Sequence, residues 1–199
     1  MAKRDPITKI VNPEPQEWLA KDWSKLKIAD YKPYNFVDGE GVRCSLYVSG
    51  CPFACPGCYN KIVQNFDYGV PYTQELEDQI IEDLSADYCQ GLTLLGGEPM
   101  LNTQVLLKLC YRVREEFGHA KDIWSWTGYT WEELMMESDD KKELLSLVDV
   151  LVDGRYIAAQ RDLTRQFRGS TNQRIIDVPK SLDAGEVILW VQADGTPYY

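Results

Sequence analysis

At 199 residues the chain has room for one domain with a full core and is too short for two comfortable ones. Hydrophobic residues at 44% and charged residues at 26% describe an ordinary soluble globular protein. A net charge of −10 without a dense Lys/Arg run argues against a general nucleic-acid or anionic-membrane binder, and no apolar run reaches the length of a membrane span.

The opening Met1-Ala2-Lys3-Arg4-Asp5-Pro6 leads into no apolar stretch of a secretory signal, which predicts a cytoplasmic protein with reduced thiols. Six cysteines then read as metal ligands, reactive groups or buried hydrophobes before they read as disulfides. Residues 1–33 read as an N-terminal extension, interrupted by Pro6, Pro13, Pro15 and Pro33. Within it Trp18, Leu19, Trp23, Leu26 and Ile28 line one side of a short helix that docks on the domain formed by residues 34–199.

From residue 42 strands and helices alternate. Val42, Cys44, Leu46 and Val48 fall at period two and share one face of a strand. Leu76, Ile80, Ile81, Leu84 and Tyr88 form a helical stripe, and residues 91–95 a second strand. Asn102 is placed to N-cap a helix presenting Val105, Leu106, Leu109, Cys110, Val113 and Phe117, with Gly118 as its stop. Residues 123–127 make a third strand, and Thr130 with Glu133 forms a capping box for the next helix. Residues 148–152 are nearly all apolar, as in a strand buried on both faces; 174–178 and 186–191 are the last strand candidates. Such alternation predicts an α/β fold with a mostly parallel sheet, whose ligands gather at the carboxyl ends of the strands.

Immediately after the first of these strands comes Gly50-Cys51-Pro52-Phe53-Ala54-Cys55-Pro56-Gly57-Cys58-Tyr59-Asn60. Thiolates at Cys51, Cys55 and Cys58 suit a tight loop around one inorganic object, each taking one corner of a cubane cluster and leaving one iron open. The alternative is a structural zinc site, which wants a closed set of four ligands. Its fourth would come from Cys44, Cys89, Cys110 or His119, the only histidine. Cys44 and Cys110 sit in apolar stripes, Cys89 at a helix end and His119 in a turn, so none of them is assigned to a metal. The strand at 91–95 ends in Gly96-Gly97-Glu98-Pro99 beside this loop. Two glycines admit a close approach to the backbone, where main-chain groups and Glu98 can meet a charged amino group. No Walker A loop or dinucleotide fingerprint occurs, and one histidine in a turn carries no Ser-His-Asp arrangement.

Taken together, the CxxxCxxC loop and the GGE strand end resemble the radical S-adenosylmethionine (SAM) superfamily. Within it the chain is similar to the activating proteins of anaerobic ribonucleoside-triphosphate reductase, over roughly residues 34–178. The segments that carry this likeness are 43–51, 55–61, 122–129, 150–154 and 167–173. The N-terminal stretch of some thirty residues departs from the shorter members.

The resemblance implies a shortened, partial βα barrel of radical SAM type and no side chain acting as a catalytic group. It implies that Cys51, Cys55 and Cys58 ligate a [4Fe–4S] cluster whose fourth iron binds SAM. Backbone at Gly57, Cys58 and Tyr59 would approach the adenine, Gly96, Gly97 and Glu98 would hold the methionyl end, and Ser125 and Thr127 would contact ribose or carboxylate. Reductive cleavage of SAM gives a 5′-deoxyadenosyl radical, which takes hydrogen from a glycine of the reductase. Implied partners are that reductase and a flavodoxin-like electron donor. Trp126, Tyr129, Trp131, Arg168 and Asn172 are candidates for contacting the reductase, with core packing and backbone hydrogen bonding as their ordinary roles. The rival readings are an activase of another glycyl-radical enzyme, a radical SAM enzyme acting on a small molecule such as a pterin-like ring, and a non-catalytic zinc or iron–sulfur module.

Overall fold

A computed structural model describes residues 1–192 and 195–198; residues 193, 194 and 199 of the domain expected over 34–199 lie outside the described residues. The strands are β1 (Lys3–Arg4), β2 (Val11–Asn12), β3 (Lys27–Asn35), β4 (Val42–Val48), β5 (Val70–Pro71), β6 (Cys89–Gly96), β7 (Asp122–Trp126), β8 (Val150–Asp153) and β9 (Arg174–Asp177). The helices are α1 (Ala20–Trp23), α2 (Gln74–Leu84), α3 (Thr103–Phe117), α4 (Trp131–Met135), α5 (Asp139–Ser146) and α6 (Val178–Ala184). β1 and β2 pair with each other, and the other strands form one seven-stranded sheet in the order β5-β3-β4-β6-β7-β8-β9. The ladders β4–β6, β6–β7 and β7–β8 are parallel. The outer ladders β3–β5, β3–β4 and β8–β9 are antiparallel. The architecture is mixed α/β with a mostly parallel central sheet.

Alternation along the strands separates two cores. Leu46, Leu92, Leu94, Ile123, Leu151 and Ile176 pack with Ile80, Leu84, Leu106, Leu109 and Leu144 of the helices. The intervening residues Trp124, Val150, Val152 and Ile175 form the second core, against Trp126, Phe167, Trp190 and Tyr198. Cys44 and Cys110 are fully buried in the first core, the place of a small hydrophobe.

The expected start and stop signals behave unevenly. Thr130 and Glu133 make both bonds of the capping box that opens α4. Gly118 ends α3 with φ at +58°. Asn102 precedes α3 but its side chain caps nothing; Nδ2 donates to the carbonyls of Ser49 and Glu98, each at 3.0 Å. It ties the helix start to the cysteine loop instead.

The N-terminal stretch differs from its sequence reading. α1 spans only Ala20–Trp23, and Ile28 lies in β3, which runs to Asn35 across the expected boundary at 33. The ladder with β4 is irregular between Lys32 and Asn35, where Pro33 has no N–H to offer. Ile10, Trp18 and Ile28 are buried in the larger core. Trp18 meets the ring of Phe53 at 5.2 Å, and its carbonyl accepts from Lys141 Nζ at 2.6 Å. The segment expected as a strand at 186–191 forms only single bridges, at Leu189 and Val191.

Candidate functional site

The carboxyl ends of β4, β6, β7 and β8 surround a cavity of about 430 Å³. β4 delivers Cys51 and the loop through Cys55 and Cys58, and β6 delivers Gly96, Gly97 and Glu98. β7 adds Trp126, Thr127 and Gly128, and β8 adds Gly154, Arg155 and Tyr156. Gly57 and Tyr59 lie in the same wall. Of the residues anticipated from sequence for the cluster and SAM, only Ser125 is absent from it. Ser125 alternates with Trp124 and Trp126, which belong to the second core, so it shares the helix-covered face with Ile123. There its hydroxyl is fully buried and has no hydrogen-bond partner.

Backbone hydrogen bonds fix the loop. Gly50 N donates to Val63 O at 2.7 Å and Cys51 N to Gln64 O at 3.0 Å. Ala54 stands in the left-handed region at φ +53°, a strained conformation of the kind held at functional loops. Gly97 N donates to Val48 O, and Glu98 N to Gly50 O, both at 2.7 Å. A Cβ on Gly97 would lie 2.4 Å from Gly50 O. The neighbour that requires glycine at 97 is thus the cysteine loop's own backbone.

Glu98 is 1% exposed and spends its carboxylate on this chain. Oε1 accepts from Met100 N at 3.0 Å and from the Thr127 hydroxyl at 2.7 Å; Oε2 accepts from Gly128 N at 2.8 Å. Burial holds its carboxyl above the usual range, against the pull of these donors. Burial likewise raises the Cys51 thiol, and pushes Cys55 up to about 11 with Cys58 adding to the rise. Metal ligation would replace those protons.

Cys51, Cys55 and Cys58 are the cysteines of the wall. Among the described residues no three His, Cys, Asp or Glu side chains converge closely enough for a single metal ion. A cubane asks for something else, one thiolate at each of separate corners. Cys44 and Cys89 sit in the first residues of β4 and β6 with their sulfurs 3.7 Å apart, at the far ends of the strands from the cavity. Cys110 is inside α3, and exposed His119 bonds Asp149 at 3.1 Å. None of these can close a four-ligand zinc site at the loop. The donor set fits a cluster held by three thiolates.

Tyr129 and Trp131 are buried in the core, where neither can touch a partner. Asn172 Nδ2 donates to Arg155 O at 2.9 Å, and Gln173 Nε2 to Gly154 O at 3.0 Å. Sequence reasoning did not single out Arg155, Tyr156, Arg161, Leu163 or Gln173 of the lining. For Arg155 a signal was present, since it closely follows a buried strand.

Strand-end cavity and three-thiol loop define an iron–sulfur protein: residues 37–176 match the family described as a 4Fe-4S single cluster domain. Curated relatives narrow the class. An anaerobic ribonucleoside-triphosphate reductase-activating protein of Vibrio cholerae is 47% identical over 149 residues, 73% of this chain and 94% of that protein. Its counterpart in Escherichia coli K12 is 44% identical over 147 residues, 72% and 93% of the two chains. That of phage T4 is 39% identical over 147 residues, 72% and 88%. The chain belongs to the family of anaerobic ribonucleoside-triphosphate reductase-activating proteins.

Proposed function

We propose that this chain is a radical SAM activase that installs a glycyl radical in an anaerobic ribonucleoside-triphosphate reductase. The observation that carries the reading is the set of three cysteines, with no fourth soft ligand among the described residues, in a cavity at the ends of four parallel strands. Cys51, Cys55 and Cys58 would hold a [4Fe–4S] cluster and leave one iron for the amino and carboxylate groups of SAM. When bound, that pair supplies one-electron cleavage of a carbon–sulfur bond, whose product can take hydrogen from a glycine Cα.

The protein's own residues bind, orient and exclude water. Backbone at Gly57, Cys58 and Tyr59 would face the adenine, and Gly96 and Gly97 the methionyl end. Glu98 and Thr127 hold one another and so fix the wall between β6 and β7. Trp126, whose Nε1 donates to Phe167 O at 2.9 Å, closes a side of the cavity with apolar surface. The sheet is read as a partial βα barrel of radical SAM type, and residues 1–33 as an extension on a domain over 34–199. A flavodoxin-like donor is the proposed electron source. The cytoplasm is the proposed site of action, in keeping with six free cysteines and with no helix among the described residues long and apolar enough to cross a membrane.

Anaerobic reconstitution with iron and sulfide, reduction and addition of SAM test the reading. Release of 5′-deoxyadenosine and methionine is expected. Protein loaded with cluster that releases neither would contradict it.

A further inference from the structure

The N-terminal stretch grips the cysteine loop midway between two of its thiols. Phe53 stands between Cys51 and Cys55, is fully buried and lines the cavity. Its carbonyl accepts from Val11 N of β2 at 2.9 Å. Among the described residues this is the one backbone-to-backbone hydrogen bond made by residues 52–54. The Phe53 ring is held by the same stretch, since Trp18 meets it edge-on at 5.2 Å. Tyr129 at 5.0 Å and the Arg155 guanidinium at 4.5 Å are its further neighbours.

Trp18 is itself anchored. Lys141 Nζ donates to its carbonyl at 2.6 Å and pairs with Glu137 Oε2 at 2.8 Å, with both charges buried. Glu137 Oε1 also accepts from Gln16 N at 3.3 Å. A buried ion pair is costly to break, so this anchor gives Trp18 little freedom. From Trp18 the ring contacts pass to Trp23 at 5.8 Å and on to Phe66 at 5.3 Å. Phe66 packs on Gly50, where an added Cβ would lie 1.9 Å from its Cδ1. One stretch of chain thus reaches the loop at Phe53 and, through Phe66, beside Cys51. Val11 and Trp18 both precede residues 37–176, which match the 4Fe-4S domain.

Groups that bear on metal ligands without touching the metal fix the ligands' orientation, and so set how firmly the metal is held. We infer that Val11 and Trp18 are positioning residues for the cluster: they hold Phe53, and with it the spacing of Cys51 and Cys55. The inference rests on the proposed assignment of Cys51, Cys55 and Cys58 as the cluster ligands. Its consequence is that iron leaves the loop slowly while the N-terminal stretch is docked.

The test measures the rate of iron release from anaerobically reconstituted protein to an excess of a ferrous chelator. Electron paramagnetic resonance of the reduced cluster is recorded alongside, at a temperature where circular dichroism shows each variant folded. Trp18→Ala is expected to release iron about 10- to 100-fold faster than wild type. Val11→Pro, which deletes the one N–H, is expected to release it about 3- to 10-fold faster. Both should shift the g-values of the reduced cluster. Trp18→Phe keeps an aromatic edge against Phe53 and should return release to within about 3-fold of wild type. Leu84→Ala controls for lost stability alone, being fully buried at the end of α2 that leads into β6. It should stay within about 2-fold, with an unshifted spectrum.

Wild-type release and spectrum in Val11→Pro overturn the inference, as does equal acceleration in Trp18→Ala and Leu84→Ala with unshifted spectra. If Trp18→Ala does not fold, Val11→Pro alone decides. Wild-type protein that takes up no cluster, or Cys55→Ala that keeps one, overturns the ligand assignment and the inference with it.

Discussion

The carbonyl oxygen of Gly50 occupies the space that a side chain on Gly97 would need, 2.4 Å from the position of its Cβ. The two residues belong to the ends of neighbouring parallel strands, and their contact sets how close the cysteine loop lies to the β6 end. Both flanking hydrogen bonds, Gly97 N to Val48 O and Glu98 N to Gly50 O, depend on that approach. Gly97→Ala is therefore expected to cost about 1–3 kcal/mol and to lower iron per chain after reconstitution. Gly185→Asn is the control, at a left-handed helix end with nothing within 4 Å of the added Cβ. Thermal unfolding and iron analysis of the two variants check this; equal behaviour would refute the packing argument.

The ligand assignment separates cysteines of one chain. Cys55→Ala is expected to abolish cluster assembly and SAM cleavage, because Cys55 lines the cavity. Cys110→Ala should retain both, since Cys110 is buried within α3 away from the lining. Iron, sulfide and absorbance after reconstitution report the difference, and comparable loss in both variants would sink the assignment.

Much of this site was legible because its signals are local. The cysteine spacing, the glycine pair, the period-two strand at 42–48 and the capping box at Thr130 each lie within a few residues. β3 was hidden for a physical reason: it contains Pro33, its ladder with β4 is irregular, and its outer part is exposed. Ser125 was assigned by its nearness to a strand end, although the alternation Trp124-Ser125-Trp126 already puts its hydroxyl on the other face. Arg155 could not be read as fixed in the cavity wall until Phe53 and Glu133, far away in sequence, were seen to clamp it.

The N-terminal stretch contributes to the core through Trp18, which is 4% exposed and packs on Phe53 and Trp23. Trp18→Ala should destabilise the protein by about 3–5 kcal/mol. Urea unfolding measures this. A loss below about 1 kcal/mol would mean that the stretch docks only loosely.

Acid should weaken the link between α4 and β9. The Arg174 guanidinium beside Glu132 holds its carboxyl at about 2, below its ordinary 4.5. A depressed carboxylate contributes stability above its unfolded value, and that contribution is lost as pH falls from about 4.5 through about 2. Because Glu132 is 60% exposed, solvent screening keeps the effect below about 1 kcal/mol. Metal-free Glu132→Gln should show a correspondingly smaller drop in melting temperature between pH 5 and pH 3 than metal-free wild type; parallel curves would refute the role of this pair.

The central claim is best tested by electron paramagnetic resonance on the reconstituted, reduced protein mixed with SAM and an anaerobic ribonucleoside-triphosphate reductase. A protein-centred glycyl doublet that disappears when SAM is omitted is the predicted result. A reduced-cluster signal that responds to SAM, without any doublet on the reductase, would contradict the proposed activation.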